Sequence, residues 1–183
     1  GSGSNGRLFE EVRTKRGLAY GAYSSLGQSR DAALLTARAQ TKNETADEVV
    51  KVFFEQFIRL RETPISEDSL QKRRLFLAGR IARSLETSGG FNGQVANLML
   101  RGIEPREAFA IAERLSQVSP DEAVAMAQKY LDPERASLVV VGDAREFLKE
   151  LKALRGAVEV IPVSELDLGS SDLRKPAEEV AAI

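Results

Sequence analysis

Two segments near the start of the chain predict strands, and a helical repeat dominates most of the later sequence. Residues 20–26 and 32–40 each predict a strand, and hydrophobic and polar residues alternate over residues 35–40, so the second strand is expected to have one buried and one more polar face. The turn between them is short, which favours an antiparallel hairpin. Ahead of the hairpin, an apolar stripe predicts a short helix over residues 7–16 that Gly17 ends. The chain therefore opens as helix, strand, strand.

A series of helices is predicted after the hairpin from capping residues and helix breakers. Residues 45–48 have the sequence of a capping box and predict the start of a helix that Pro64 stops. Residues 66–68 combine a capping serine with first-turn acids and predict the next helix. Residues 89–90 are two glycines and predict a break between helices. Residues 119–122 predict a further helix with a serine cap and a proline in its first turn.

Two apolar segments near the end of the chain predict further strands. Residues 138–141 form a continuous apolar run, which is typical of a strand buried on both faces, and residues 158–161 predict a last short strand. Strands at both ends with helices between them indicate a two-layer α+β fold. We expect an antiparallel or mixed sheet of about four strands, backed by helices on one face. We expect one domain over residues 1–162 and a polar tail over residues 163–183.

Composition narrows the possible functions. The chain has 183 residues, and its 26 basic and 27 acidic residues give a net charge of −1. A near-neutral chain lacks the basic field that nucleic acids attract, so a nucleic-acid partner is not expected. No apolar run approaches the roughly 20 residues that span a membrane, so no transmembrane segment is expected.

The chain contains no histidine and no cysteine. Histidine is the commonest general base near neutral pH and the commonest metal ligand, and cysteine supplies thiolates. A catalytic triad with histidine, a histidine-ligated zinc site and a disulfide are therefore excluded within this chain. We expect no metal site in it and no peptidase activity from it alone.

Four short segments together resemble one known family. They are GRLFEEVRTKRGLAY at residues 6–20, PISEDSL at 64–70, VSPDEA at 118–123 and VVVGD at 139–143. Each is common by itself, but their order and spacing resemble the C-terminal, non-catalytic half-domain of the pitrilysin, insulinase and mitochondrial-processing-peptidase family of zinc metallopeptidases. The family domain begins with strands that are absent before the glycine-rich loop here, so we expect an N-terminally truncated half-domain.

The resemblance implies a function shared between two halves. In this family two homologous halves close around a chamber, and one of them carries the zinc motif HxxEH. A chain without histidine can only be the other half, so zinc is expected in the partner half, and a peptide is expected as the substrate. The family's substrate-binding arginine and tyrosine match Arg13 and Tyr20. Tyr20 would also donate a hydrogen bond to the scissile carbonyl group, and a periplasmic or membrane-associated bacterial setting fits the resemblance.

Two alternatives remain open from the sequence. Arg13 could pair with Glu10 or Glu11 of its own helix while Tyr20 packs in the sheet, and the half-domain could then be a structural or assembly module without a role in proteolysis. Tyr23 lies three residues after Tyr20, so regular alternation places it on the opposite face of the strand, in the core.

Overall fold

The described chain begins with a short helix followed by a hairpin, in the order that the sequence predicts. The structure is a computed structural model that describes residues 3–4 and 6–176. Helix α1 (Arg7–Phe9) continues without a break into a π-helical turn (Glu10–Thr14), in which the amide of Lys15 donates to the carbonyl of Glu10 over 2.9 Å. Gly17 has φ +65°, and its amide donates to the carbonyl of Arg13 over 3.0 Å. This left-handed residue ends the helix and turns the chain into the first strand.

Strands β1 (Ala19–Gln28) and β2 (Ala33–Thr41) form an antiparallel hairpin. The register is regular from Ala22 opposite Ala39 to the turn, but Ala19 lies opposite Thr41. Between these pairs β1 has two intervening residues and β2 has one, so β1 carries a β-bulge at residues 20–21. The bulge allows both Ala19 and Ala22 to be buried although they are three residues apart.

Helices make up most of the remaining chain. Their bounds are α2 (Ala46–Glu62), α3 (Glu67–Leu85), α4 (Ser88–Leu100), α5 (Glu107–Gln117), α6 (Pro120–Tyr130) and α7 (Leu148–Arg155). Helices α1 and α2 cover one face of the hairpin, around a core that includes Leu8, Val12, Ala22, Val49 and Val52. Burial of this apolar surface is the main contribution that holds the hairpin to the helices.

Most predicted helix starts are confirmed. Ser66 caps α3, since its hydroxyl accepts from the amide of Ser69. Ser119 and Glu122 form the predicted capping box of α6. Helix α2 begins directly after Thr45, as predicted, but the predicted capping box is wrong: the Thr45 side chain makes no cap, because its hydroxyl bonds to the Thr41 hydroxyl at 2.7 Å instead.

The predicted break at the two glycines is displaced. Gly89 and Gly90 lie inside the first turn of α4, and Thr87 is the cap of that helix, accepting from the amide of Gly90. A Cβ at residue 90 would lie 2.0 Å from the carbonyl oxygen of Ser84, so glycine is needed there for a close backbone approach rather than for a break.

The prediction of about four strands is wrong for the part of the chain that the structure describes, where the sheet has two strands. Residues 138–141 and 158–161 lie outside any strand. Val140 and Val158 pack on a second core cluster around Phe147, whereas Val139 and Val141 are 81% and 92% exposed. An extended segment becomes a strand only where a neighbouring segment pairs with its backbone, and no described segment does so here.

Part of the predicted tail is described, and residues 177–183 lie outside the described residues. Arg174 forms ion pairs with Glu159 at 3.0 Å and Glu165 at 2.8 Å, and the amide of Lys175 donates to the carbonyl of Glu165 over 2.8 Å. The division of the chain at residue 162 stays a prediction.

Candidate functional site

The end of the first helix and the start of β1 bring Arg13 and Tyr20 together. Nη1 of Arg13 donates to the backbone carbonyl of Tyr20 over 2.6 Å, and the guanidinium carbon lies 4.3 Å from the centre of the Tyr20 ring. The same carbon lies 5.7 Å from the centre of the Phe9 ring, one helical turn earlier. Arg13 is half-buried, whereas Tyr20 is 84% exposed. The two predicted site residues therefore form one stacked pair whose phenol faces solvent.

Arg13 does not pair with the acids of its own helix. Lys15 and Arg16 contact Glu11 at 2.7 Å and 2.6 Å, and Lys15 also lies 3.4 Å from Glu10. The alternative in which Arg13 serves only as an ion-pair partner of Glu10 or Glu11 is therefore wrong for this structure. The packing of Tyr20 in the sheet is equally ruled out by its exposure.

Glu11 anchors the helix that carries Arg13. Its side chain is 8% exposed, and hydrogen bonds from Lys15 and Arg16 hold its pKa below the ordinary value of 4.5. Burial opposes this shift, but the hydrogen bonds to the charged form outweigh it. The ionised carboxylate therefore ties the last turn of the helix, on which Arg13 lies, to two basic side chains.

Tyr23 lies on the same side of the hairpin as Tyr20, so its prediction as a core residue on the opposite face is wrong. Its ring centre is 5.9 Å from that of Phe9, and 38% of the residue is exposed. The β-bulge explains the difference, because one extra residue between Tyr20 and Tyr23 reverses the alternation. No sequence feature marks this bulge except Gly21, whose missing side chain leaves room for the Tyr23 ring.

Acidic side chains in two of the other family-like segments, residues 118–123 and 139–143, have structural roles. Asp143 caps a short 3-10 turn (Ala144–Glu146), and hydrogen bonds from the side chain and amide of Arg145 lower its pKa to about 2. The carboxylate of Glu122 accepts from the amide of Ser119 over 2.7 Å, which lowers its pKa. Asp143 therefore stabilises the start of a 3-10 turn, and Glu122 stabilises the start of α6. Both residues are far from Arg13 and Tyr20 along the sequence.

The residues of this chain do not fit a zinc site. Histidine and cysteine are missing from the sequence, and among residues 3–4 and 6–176 no three acidic side chains gather closely enough to hold a metal ion. Over the same residues, no helix has both the length and the apolar character needed to cross a bilayer.

The resemblance to the metallopeptidase family is confirmed. The family described as the peptidase M16 inactive domain matches residues 1–76, which include Arg13 and Tyr20. The chain is 29% identical over 158 residues to an "uncharacterized zinc protease" of Streptomyces coelicolor, covering 86% of this chain and 34% of that protein.

Solved structures share the fold. A peptidase M16 inactive domain from Pseudomonas fluorescens superposes with a TM-score of 0.66 at 23% identity, covering 72% of this chain and 31% of that one. A protease from Helicobacter pylori superposes with a TM-score of 0.64 at 20% identity, covering 72% and 32%. This chain spans about a third of the length of the relatives it matches.

Proposed function

Taking the match to the peptidase M16 inactive domain as the premise, we propose that this chain is the substrate-binding, non-catalytic half of a zinc metalloendopeptidase. It closes a chamber with a homologous half that bears the HxxEH motif, and the hydrolytic metal belongs to that partner half. The observation that carries the proposal is the exposed phenol of Tyr20, stacked on a half-buried Arg13 within the part of the chain that matches the family.

The pair suits the recognition of an extended peptide. Peptide hydrolysis develops negative charge on the scissile carbonyl oxygen, and a preorganised hydrogen-bond donor stabilises that charge. A tyrosine phenol carries an O–H group, which can act as the donor. Arg13 has five N–H donors and a permanent charge. One of its nitrogens binds the Tyr20 carbonyl, and the remaining N–H groups can bind a carbonyl of the substrate.

The experiment is to combine this chain with its HxxEH-bearing half and to measure cleavage of a peptide library. We expect cleavage from the combination and none from this chain alone. Tyr20→Phe removes only the hydroxyl, so it should lower kcat by about 10²–10³-fold, the usual cost of one lost oxyanion donor. Unchanged cleavage by both Tyr20→Phe and Arg13→Ala would instead favour the structural or assembly role.

A further inference from the structure

Four side chains form a continuous stack between β1 and the helical segment that precedes it, which comprises α1 and the π-helical turn. In order they are Tyr20, Arg13, Phe9 and Tyr23, and we call them the four-residue stack. The guanidinium carbon of Arg13 lies 4.3 Å and 5.7 Å from the ring centres of Tyr20 and Phe9, and the centres of the Phe9 and Tyr23 rings are 5.9 Å apart. Both ends of the stack lie on the same strand, and its middle lies on the helix.

Two features of β1 allow this arrangement. The β-bulge at residues 20–21 sets Tyr20 and Tyr23 on the same side of the hairpin. Gly21 then leaves space for the Tyr23 ring to fold back along the strand toward Tyr20. A Cβ at residue 21 would lie 2.6 Å from a ring carbon and 2.8 Å from the hydroxyl oxygen of Tyr23. The ring therefore occupies the position that any other side chain at residue 21 would need.

An exposed phenol needs such support if it is to act as a donor. Tyr20 is 84% exposed and would be free to adopt several rotamers without the guanidinium against its ring. Arg13 is itself a long, flexible side chain, and its guanidinium carbon also lies over the Phe9 ring, 5.7 Å from the ring centre. Tyr23 in turn packs against Phe9, and the separation of 5.9 Å between the ring centres lies within the range of about 4.5–7 Å that interacting aromatic pairs show.

We infer that Phe9 and Tyr23 are positioning residues, which hold Arg13 and thereby fix the phenol of Tyr20 for the peptide. This inference rests on the proposed function of Tyr20. Neither residue needs to touch the substrate, because both act through Arg13. A donor that is misplaced by about 1 Å can lose a large part of its effect, so loosening the stack should lower turnover.

The test compares three variants in the assembled enzyme. Tyr23→Leu removes the ring, Gly21→Ala displaces it, and Tyr23→Phe keeps the ring and removes the hydroxyl. We expect Tyr23→Leu and Gly21→Ala to lower kcat by about tenfold with KM changed by less than about twofold, since the donor acts in the transition state. Tyr23→Phe should turn over like the wild type. Thermal unfolding checks that each variant is folded. If Tyr23→Leu does not fold, the kcat of Gly21→Ala alone tests the inference.

Each other outcome overturns a different statement. If Tyr20→Phe lowers kcat but Tyr23→Leu and Gly21→Ala do not, the inference is wrong and the proposed function stands. If Tyr23→Phe is as slow as Tyr20→Phe, the Tyr23 hydroxyl acts directly and the positioning role is wrong. If Tyr20→Phe has no effect, this inference is overturned, and if Arg13→Ala has no effect either, the proposed function is overturned with it.

Discussion

Replacing Arg13 by lysine separates the charge of this side chain from its shape. Lysine keeps the positive charge, but it lacks the planar group that stacks on the Tyr20 ring at 4.3 Å and donates to the Tyr20 carbonyl at 2.6 Å. An exposed cation–π contact contributes about 0.5–1 kcal/mol, and the hydrogen bond contributes about 1 kcal/mol. The two contacts together contribute about 1.5–2 kcal/mol, and because the lysine ammonium can keep part of them, the substitution should cost about 1–2 kcal/mol in the positioning of Tyr20.

That cost corresponds to a fall of about 5–30-fold in kcat/KM, which peptide cleavage by the assembled enzyme measures directly. Urea denaturation of this chain should show a loss of about 1 kcal/mol in the free energy of unfolding. Arg38→Lys is the matched control: Arg38 lies opposite Tyr23 in the hairpin, is exposed, and its side chain makes no hydrogen bond within the described residues. If Arg13→Lys behaves like Arg38→Lys in both assays, planar stacking does not hold Tyr20 and our reasoning is refuted.

Three further predictions concern stability and metal binding. The lowered pKa of Glu11 means that its stabilising effect is complete above pH 4.5 and is lost as the pH falls through its lower value in the folded state. Glu11→Gln should therefore flatten the acid side of the stability curve measured by circular dichroism, and an unchanged acid profile would contradict this. Leu98→Ala should cost about 3 kcal/mol because Leu98 is 2% exposed, whereas Met99→Ala, at a 63% exposed neighbour, should cost less than about 0.5 kcal/mol; equal losses in urea denaturation would refute the comparison. Calorimetric titration of zinc into this chain should show no tight binding, and a stoichiometric site would overturn our assignment of the metal to the partner half.

Helix positions could be predicted from the sequence because their determinants are local. Ser119 and Glu122 satisfy one another within a single turn, so four residues suffice to identify this helix start. Thr45 has the same kind of sequence, but its hydroxyl binds Thr41 of the preceding strand. The capping pattern could not reveal that a hydroxyl group outside the local segment competes for the Thr45 side chain.

The number of strands and the geometry of the site could not be predicted, because both depend on contacts between segments that are distant in the sequence. Whether residues 138–141 become a strand depends on a neighbouring segment, and their apolar character records only that Val140 packs inward. The family resemblance singled out Arg13 and Tyr20, but the contact of Arg13 with Phe9 and the place of Tyr23 could not be predicted from it. The place of Tyr23 follows from a single extra residue in β1, and an extra residue leaves no mark in composition.

The π-helical turn at Glu10–Thr14 makes the site sensitive to the length of the chain as well as to its chemistry. A π-helical turn holds one more residue than an α-helical one, and the bulge in β1 likewise holds one residue more than regular pairing needs. Removing the extra residue of the π-helical turn would leave Phe9 and Arg13 three positions apart in an α-helix, which still places them on one helix face. Removing the extra residue of β1 would restore regular pairing and leave Tyr20 and Tyr23 two positions apart on one face of the hairpin. The two extra residues therefore set the spacing of the four side chains along the helix and the strand, so single-residue deletions on either side of Gly17 should loosen the four-residue stack without turning Arg13 or Tyr20 to another face.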